Sequence, residues 1–98
     1  MTRRLAFRPR AEADLDDIWA FTVDRWSLAQ ARAYLTGLSG SLDLLRDHPE
    51  IARLHDFQPP VRIFPYRSHL VIFHSDDTML EVIRILHTRS DWEILLVD

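Results

Sequence analysis

The chain has 98 residues, 47% of them hydrophobic, and its 12 basic and 15 acidic side chains give a net charge of −3. A chain of this length forms one domain, residues 1–98, and the hydrophobic share excludes global disorder. Every basic residue is arginine and there is no cysteine, which excludes disulfides, thiolate chemistry and cysteine-based metal sites. Binding to phosphates of nucleic acid usually requires a basic excess, so the acidic balance favours a protein or small-molecule partner.

The N-terminal segment MTRRLAF is basic, but no apolar run follows it, so we expect no signal peptide. No stretch of the sequence approaches the length that spans a membrane. We therefore expect a cytoplasmic protein. The histidines show no spacing typical of metal ligands, so we expect no metal site; they are His48, His55, His69, His74 and His87.

The first half of the chain predicts one strand and two helices. Arg4–Arg8 alternates polar and apolar side chains, as a short strand does. Pro9 suits the first turn of a helix, and the acidic residues after it suit the positive end of the helix dipole. The periodicity predicts a helix from Pro9 to Arg25 with a buried stripe of Leu15, Ile18, Trp19, Thr22 and Trp26.

A second helix begins directly after the first. Ser27 and Gln30 form an S-x-x-Q capping box, and Pro49 ends the helix. Since only one or two residues separate the helices, we expect an antiparallel hairpin. The core stripe of the second helix comprises Ala31, Tyr34, Leu35, Leu38, Leu42 and Leu45.

From Val61 onward the period changes to that of strands. VRIFPYR, SHLVIFHS and MLEVIRILH are three β-rich runs, and Pro65 indicates an edge position or a bend in the first of them. A short helix or tail follows Ser90. The predicted order is β-α-α-β-β-β. An α+β fold, with the helical hairpin packed on one face of a small, mostly antiparallel sheet, buries every apolar stripe.

This order and three of its segments resemble the ParE branch of the RelE/ParE superfamily of bacterial toxins. The segment RPRAEADLDDIWAFTVDRW (8–26) is similar to the opening helix of that family. HPEIAR (48–53) is similar to the loop after its second helix, and VIRILHTRSDWEILL (82–96) to its closing strand and tail.

The resemblance implies a toxin of a type II toxin–antitoxin system, without a cofactor, held inactive by a ParD-like antitoxin. ParE-like toxins act on DNA gyrase, whereas RelE-like relatives cleave mRNA on the ribosome. Because the two branches share a fold, the site residues must decide between these activities. A degenerate toxin that acts only in an antitoxin-bound regulatory complex is a third possibility.

Cleavage of mRNA through the ribose 2′-OH requires a base, an acid and a cation. The candidates for such an interferase site are Arg62, Arg67, Arg84 and His87. The other interpretation is that the arginines are solvated or paired with Asp76, Asp77 or Glu81, and that His87 is an inert residue at a strand end. We favour it, since the chain is acidic and lysine-free and lacks the tyrosine that the interferase branch places near the C-terminus. The two tyrosines are assigned to the helix core (Tyr34) and to a turn (Tyr66).

The segment ILHTRSDWEILL (85–96) predicts a structural clasp for the C-terminus. Trp92 would be its anchor, Ile94 with Leu95 or Leu96 would pack into the domain, and Arg89 could pair with Asp91. A second interpretation is that Arg89 and Trp92 bind the target, because arginine and tryptophan often dominate protein interfaces.

A strip of small residues on the second helix, opposite its leucine stripe, predicts a protein contact. Each glycine there costs about 1 kcal/mol relative to alanine in a helix interior. Small side chains allow the backbone of an antitoxin or of a second toxin copy to come close, unless they are merely tolerated. The residues predicted to bind the antitoxin are Phe21, Ala33, Gly37, Gly40 and Leu44.

Overall fold

The computed structural model describes residues 3–96 of the chain. No helix in that range is long and apolar enough to cross a membrane. The elements in chain order are β1 (Arg4–Phe7), α1 (Pro9–Arg25), α2 (Leu28–Asp47), a 3-10 turn (Pro49–Ile51), β2 (Arg53–His55), β3 (Val61–Tyr66), β4 (His69–Ser75), β5 (Met79–His87) and α3 (Trp92–Leu96).

Local sequence signals set the ends of the helical hairpin. Pro9 occupies the first turn of α1, where its missing N–H leaves no helical hydrogen bond unmade. α1 ends at Arg25, because Trp26 leaves the helical dihedral angles with φ −125° and ψ −85°. Ser27 then caps α2, its Oγ accepting a hydrogen bond of 3.0 Å from the Gln30 main-chain N–H. The predicted bounds of both helices are confirmed.

The sheet has five strands in the order β1-β5-β4-β3-β2. β1 runs parallel to β5, and the other neighbours are antiparallel. β2 was not predicted from the sequence, since its three residues are too few to show an alternating pattern. β2 pairs with Val61–Ile63, so Pro65 lies on the part of β3 that β2 does not cover, as its missing N–H requires.

The predicted packing of the helical hairpin on one face of the sheet is confirmed. The sheet side chains of this core are fully buried, and each stabilises the fold by about 1.5–3 kcal/mol. They are Val71, Phe73, Leu80 and Val82. The hairpin side chains in contact with them include Ile18, Leu38, Leu42 and Leu45.

The opposite face of the sheet is covered by the C-terminal helix α3. Val61, Ile63, Ile72 and Leu86 form a second cluster, against which Phe57 and three residues of α3 pack, namely Trp92, Leu95 and Leu96. The Trp92 ring meets the rings of His55 and Phe57 edge to face, with centroids 6.0 and 6.4 Å apart. The predicted clasp at the C-terminus is therefore correct.

Three apolar side chains that the sequence placed in the core are exposed. Trp19 is 37% exposed and Trp26 is 70% exposed, although both belong to the predicted buried stripe of α1. The core direction of α1 passes through Ile18, so Trp19 points about 100° away from it, and Trp26 lies beyond the helix end. Ile94 is 62% exposed, because it follows Trp92 by two positions on a short helix and so faces away from the sheet.

Candidate functional site

The structure places one large cleft at the end of the sheet where β3 turns into β4. Its volume is about 560 Å³. One wall is the second half of α1 with the α1–α2 connection and the start of α2. The other wall is the β3–β4 turn, the first residue of β4 and the end of β5. A cleft of this size, with mixed apolar and polar walls, has the form of a binding site for a ligand or for a side chain of a partner.

The α1 side of the cleft is aromatic. Phe21 is 58% exposed and Trp26 is 70% exposed, and both line the cleft. The Arg25 guanidinium lies over the Phe21 ring, with its carbon 5.4 Å from the ring centroid. Phe21 was predicted to bind the antitoxin, whereas Trp26 was predicted to lie in the core, so this aromatic surface was not expected from the sequence.

The other side of the cleft holds a cluster of Tyr34, His69 and His87, in which Tyr34 is hydrogen-bonded to His69 and the two histidine rings meet edge to face. The Tyr34 hydroxyl and His69 Nδ1 are 2.7 Å apart, and the rings of His69 and His87 have centroids 5.3 Å apart. Burial lowers the pKa of His69, and the neighbouring His87 lowers it further, so the imidazole of His69 is neutral at neutral pH. Burial also raises the pKa of the Tyr34 phenol. Sequence reasoning missed Tyr34 and His69 because they lie on different elements.

Arg84 forms an ion pair with Asp14 of α1 beneath the cleft. Its Nε and Nη2 donate to the two carboxylate oxygens at 2.9 and 3.0 Å, and the Ile85 main-chain N–H donates to the same carboxylate at 2.8 Å. The side chains of Arg84 and Asp14 are 15% and 11% exposed. The hydrogen bonds that Arg84 donates to Asp14 raise the pKa of Arg84. The guanidinium therefore ties α1 to β5 and has its charge neutralised.

The remaining interferase candidates do not converge on one point. Arg62 lies at the start of β3, where its Nη1 donates to the Ala52 carbonyl at 2.7 Å. Arg67 follows the last residue of β3, about 16 Å further along an extended strand. Arg67 and His87 do line the cleft. The acidic partner of Arg84 is Asp14, whereas the sequence analysis expected Asp76, Asp77 or Glu81; Glu81 pairs with Arg8 instead.

The strip of small residues on α2 has an internal explanation at one position. The Tyr66 hydroxyl lies against Gly37 and donates a hydrogen bond of 3.0 Å to the Tyr34 carbonyl. A Cβ at position 37 would overlap that hydroxyl, so the inference that Gly37 needs a partner to explain it was wrong. Tyr66 is also the last residue of β3 and not part of a turn. Open space surrounds Gly40, and Ala33 is exposed as well.

The C-terminal candidates differ in accessibility. Arg89 is exposed, and its main-chain N–H donates to His87 Nδ1 at 3.0 Å. The ion pairs among residues 3–96 do not include the expected one between Arg89 and Asp91. Trp92 is half-buried by its contacts with His55 and Phe57. Within the same range, no group of three histidine, aspartate or glutamate side chains has the arrangement of a metal site.

Comparison with known proteins identifies the family. Residues 5–92 match the family model described as "ParE toxin of type II toxin-antitoxin system, parDE". The chain is 34% identical to toxin ParE1 of Mycobacterium tuberculosis over 93 residues, which cover 93% of this chain and 95% of that protein. It is also 34% identical to toxin ParE1 of Caulobacter vibrioides over 79 residues, covering 80% of this chain and 81% of that one.

A solved structure has the same fold. A chain of the chromosomal ParDE toxin–antitoxin system from P. aeruginosa superimposes with a TM-score of 0.74 at 18% identity, covering 88% of this chain and 96% of that one. The α+β fold predicted from the order of helices and strands is confirmed by this superposition. Two of the three segments that suggested the family, 8–26 and 48–53, lie within the matched residues. The third, 82–96, begins within them and extends four residues beyond. The chain belongs to the ParE toxin family of type II toxin–antitoxin systems.

Proposed function

We propose that this protein inhibits DNA gyrase by binding to it, without catalysis, and that a ParD-like antitoxin neutralises it. The toxin role follows from the family. The gyrase target is expected from the resemblance to the ParE branch. An antitoxin partner is expected because the similar chain from P. aeruginosa belongs to a ParDE toxin–antitoxin system. The proposed place of action is the cytoplasm, where gyrase and DNA are found.

The observation that carries the non-catalytic mechanism is the ion pair of Arg84 with Asp14. A nuclease needs a free cation where charge develops on the scissile phosphate. Arg84 is mostly buried and already neutralised, and Arg62 donates to a main-chain carbonyl at the other end of β3. Among residues 3–96, Arg67 is the only arginine that lines the cleft, whose opposite wall carries the carboxylates of Asp14 and Asp17. This arrangement favours contact with a protein over cleavage of RNA.

The exposed outer surface of the helical hairpin supports the antitoxin contact. Phe21 is 58% exposed and Leu44 is 48% exposed, both large apolar side chains on the solvent side. Ala33 and Gly40 are exposed and have a small side chain or none, so a partner backbone can approach α2 closely there. Exposed apolar surface next to small residues is typical of protein interfaces. Gly37 remains a candidate for this surface, although the Tyr66 hydroxyl already explains why it has no side chain.

The end of the chain is the proposed target-binding surface. Arg89 and Ile94 are exposed, and Trp92 exposes the part of its ring that does not pack on His55 and Phe57. Arginine and aromatic side chains often carry much of the binding energy at an interface. Because Trp92 also anchors α3, Arg89 is the position at which target binding can be tested without loosening the fold.

Two assays run on the same purified toxin test the proposal. The first measures DNA supercoiling by purified gyrase, and the second measures mRNA cleavage in a ribosome-containing translation system. Inhibition of supercoiling without cleavage supports the proposal, and reversal by the product of the adjacent antitoxin gene supports the pairing. Cleavage without inhibition would identify an interferase instead. Silence in both assays would leave a toxin that acts only within an antitoxin-bound regulatory complex.

A further inference from the structure

We propose that the cleft receives an arginine or lysine side chain of the antitoxin. The Asp17 carboxylate and the exposed rings of Phe21 and Trp26 would hold the charged end of that side chain. The inference rests on the proposed function, since it specifies the chemistry by which that partner is anchored. Phe21 connects the proposed antitoxin surface with the cleft, because it is exposed on the helical hairpin and also lines the wall of the cleft.

Of the two carboxylates that line the cleft, one is free to bind. Asp14 already accepts three hydrogen bonds, two from Arg84 and one from the Ile85 main chain. Asp17 is exposed, and it takes part in none of the ion pairs among residues 3–96. Phe21 follows Asp17 by four positions on α1, so the carboxylate and the ring share one face of the helix.

The aromatic rings of the cleft suit a cation. Arg25 already places a guanidinium over Phe21, which indicates that this ring attracts positive charge in its present surroundings. Trp26 is 70% exposed, and indole is the aromatic ring with the strongest attraction for a cation. The cation–π pairs among residues 3–96 involve Phe21 and Tyr66, so in that range no cation covers Trp26.

The rest of the cleft leaves the negative charge of Asp17 uncompensated at the α1 end. Arg84 neutralises Asp14, and burial keeps His69 neutral near pH 7. The Arg67 guanidinium stacks over Tyr66, 5.7 Å from the ring centroid, on the β3–β4 turn. The Arg25 guanidinium occupies one face of the Phe21 ring. A cationic side chain entering beside α1 therefore meets the Asp17 carboxylate, the uncovered Trp26 ring and the rest of the Phe21 ring.

Other kinds of anchor fit the same residues less well. A purely apolar side chain would cover the Asp17 carboxylate and leave it without water or a partner, which costs free energy. A carboxylate or phosphate would be repelled by Asp17. A guanidinium or ammonium group is the one ionic class that both the carboxylate and the rings attract, and its aliphatic stem can lie on Ile18 and Ile85 at the base of the cleft.

The test compares antitoxin binding by two toxin variants of equal charge. Asp17→Asn removes the carboxylate of the cleft, and Asp16→Asn removes the neighbouring exposed carboxylate, which does not line it. We expect Asp17→Asn to weaken antitoxin binding by about tenfold at low salt and by less at high salt. Asp16→Asn should change it less than about twofold. Trp26→Ala should weaken binding by about threefold to thirtyfold.

A direct titration tests the cleft without the antitoxin. The probes are capped tripeptides with a central arginine, leucine or glutamate, and the readout is amide chemical shifts of the toxin. Only the arginine peptide should move the signals of Trp26 and its neighbours, and Asp17→Asn should abolish that movement. Equal shifts with the leucine peptide, or none with any peptide, would overturn the inference.

The two assays separate failure of the inference from failure of the proposed function. If the wild-type complex forms and the variants of Asp16 and Asp17 bind the antitoxin equally, the cleft is not the cation site and the toxin–antitoxin pairing stands. If the wild-type toxin does not bind the antitoxin, the pairing fails, and the peptide titration alone decides on the cleft. Thermal melts of each variant establish that the exposed substitutions leave the fold intact.

Discussion

Replacing Asp14 with alanine tests how strongly the ion pair with Arg84 holds α1 to β5. Breaking one partner of a buried ion pair costs about 3–5 kcal/mol, because it leaves an unpaired buried charge. The pair is largely buried, with exposed fractions of 15% and 11%, so this range applies with little reduction for solvent screening. The change also removes the acceptor of the Ile85 main-chain N–H. We expect Asp14→Ala to lower the free energy of unfolding by about 3–5 kcal/mol, a large fraction of the stability of such a domain.

The assay is urea denaturation followed by circular dichroism, with the slope of the transition checked for each variant. Glu81→Ala is the matched control, since it breaks the exposed pair of Glu81 with Arg8, which should cost at most about 1 kcal/mol. The double variant Asp14→Ala/Arg84→Met should recover much of the loss, because Nη1 of Arg84 is buried without a hydrogen-bond partner even in the native protein. A loss from Asp14→Ala no larger than that from Glu81→Ala would refute the reasoning.

Three further outcomes follow from the packing and the titrating groups. Gly37→Ala should destabilise the protein by about 1–3 kcal/mol through overlap with the Tyr66 hydroxyl, whereas Gly40→Ala, in open space, should stabilise it by about 0.5–1 kcal/mol; paired urea titrations measure both. Because the pKa of His69 is lowered in the fold, the unfolded chain binds a proton first as the pH falls, so stability should decline below about pH 6.5. In His69→Gln that decline should be shallower, and an unchanged pH profile would contradict it. Arg89→Ala should weaken gyrase inhibition at least about fivefold while leaving the melting temperature unchanged; full inhibition would remove Arg89 from the target surface.

The sequence predicts the helical hairpin well because its signals are local. Pro9 at the start of α1 and the Ser27 cap of α2 act within one turn of helix, and the structure contains both. The three long strands, β3, β4 and β5, are predictable from their composition and length. In contrast, β2 has only three residues and forms because it can pair with the edge of β3. No local sequence pattern predicts that pairing.

The candidate site was predictable only in part, because its contacts join distant positions. Arg67, His87 and Phe21 were singled out from the sequence and do line the cleft. The partner of Arg84 is 70 positions away in the chain, and Tyr34 meets His69 across 35 positions. Periodicity cannot supply such pairings, since it describes one element at a time.

The place of β1 in the sheet sets when the chain can complete its fold. β5 lies between β1 and β4, so the strand synthesised first joins the sheet only through the strand synthesised last. Arg4 of β1 pairs with Met79 of β5, and the ion-pair partner of Asp14 in α1 is Arg84, also in β5. A nascent chain from which β5 has not yet emerged therefore lacks the strand that joins β1 to β4, and it lacks Arg84, the partner of Asp14. We therefore expect the sheet to be completed only after β5 has been synthesised, so a chain that stops before Met79 cannot pair β1 with the sheet.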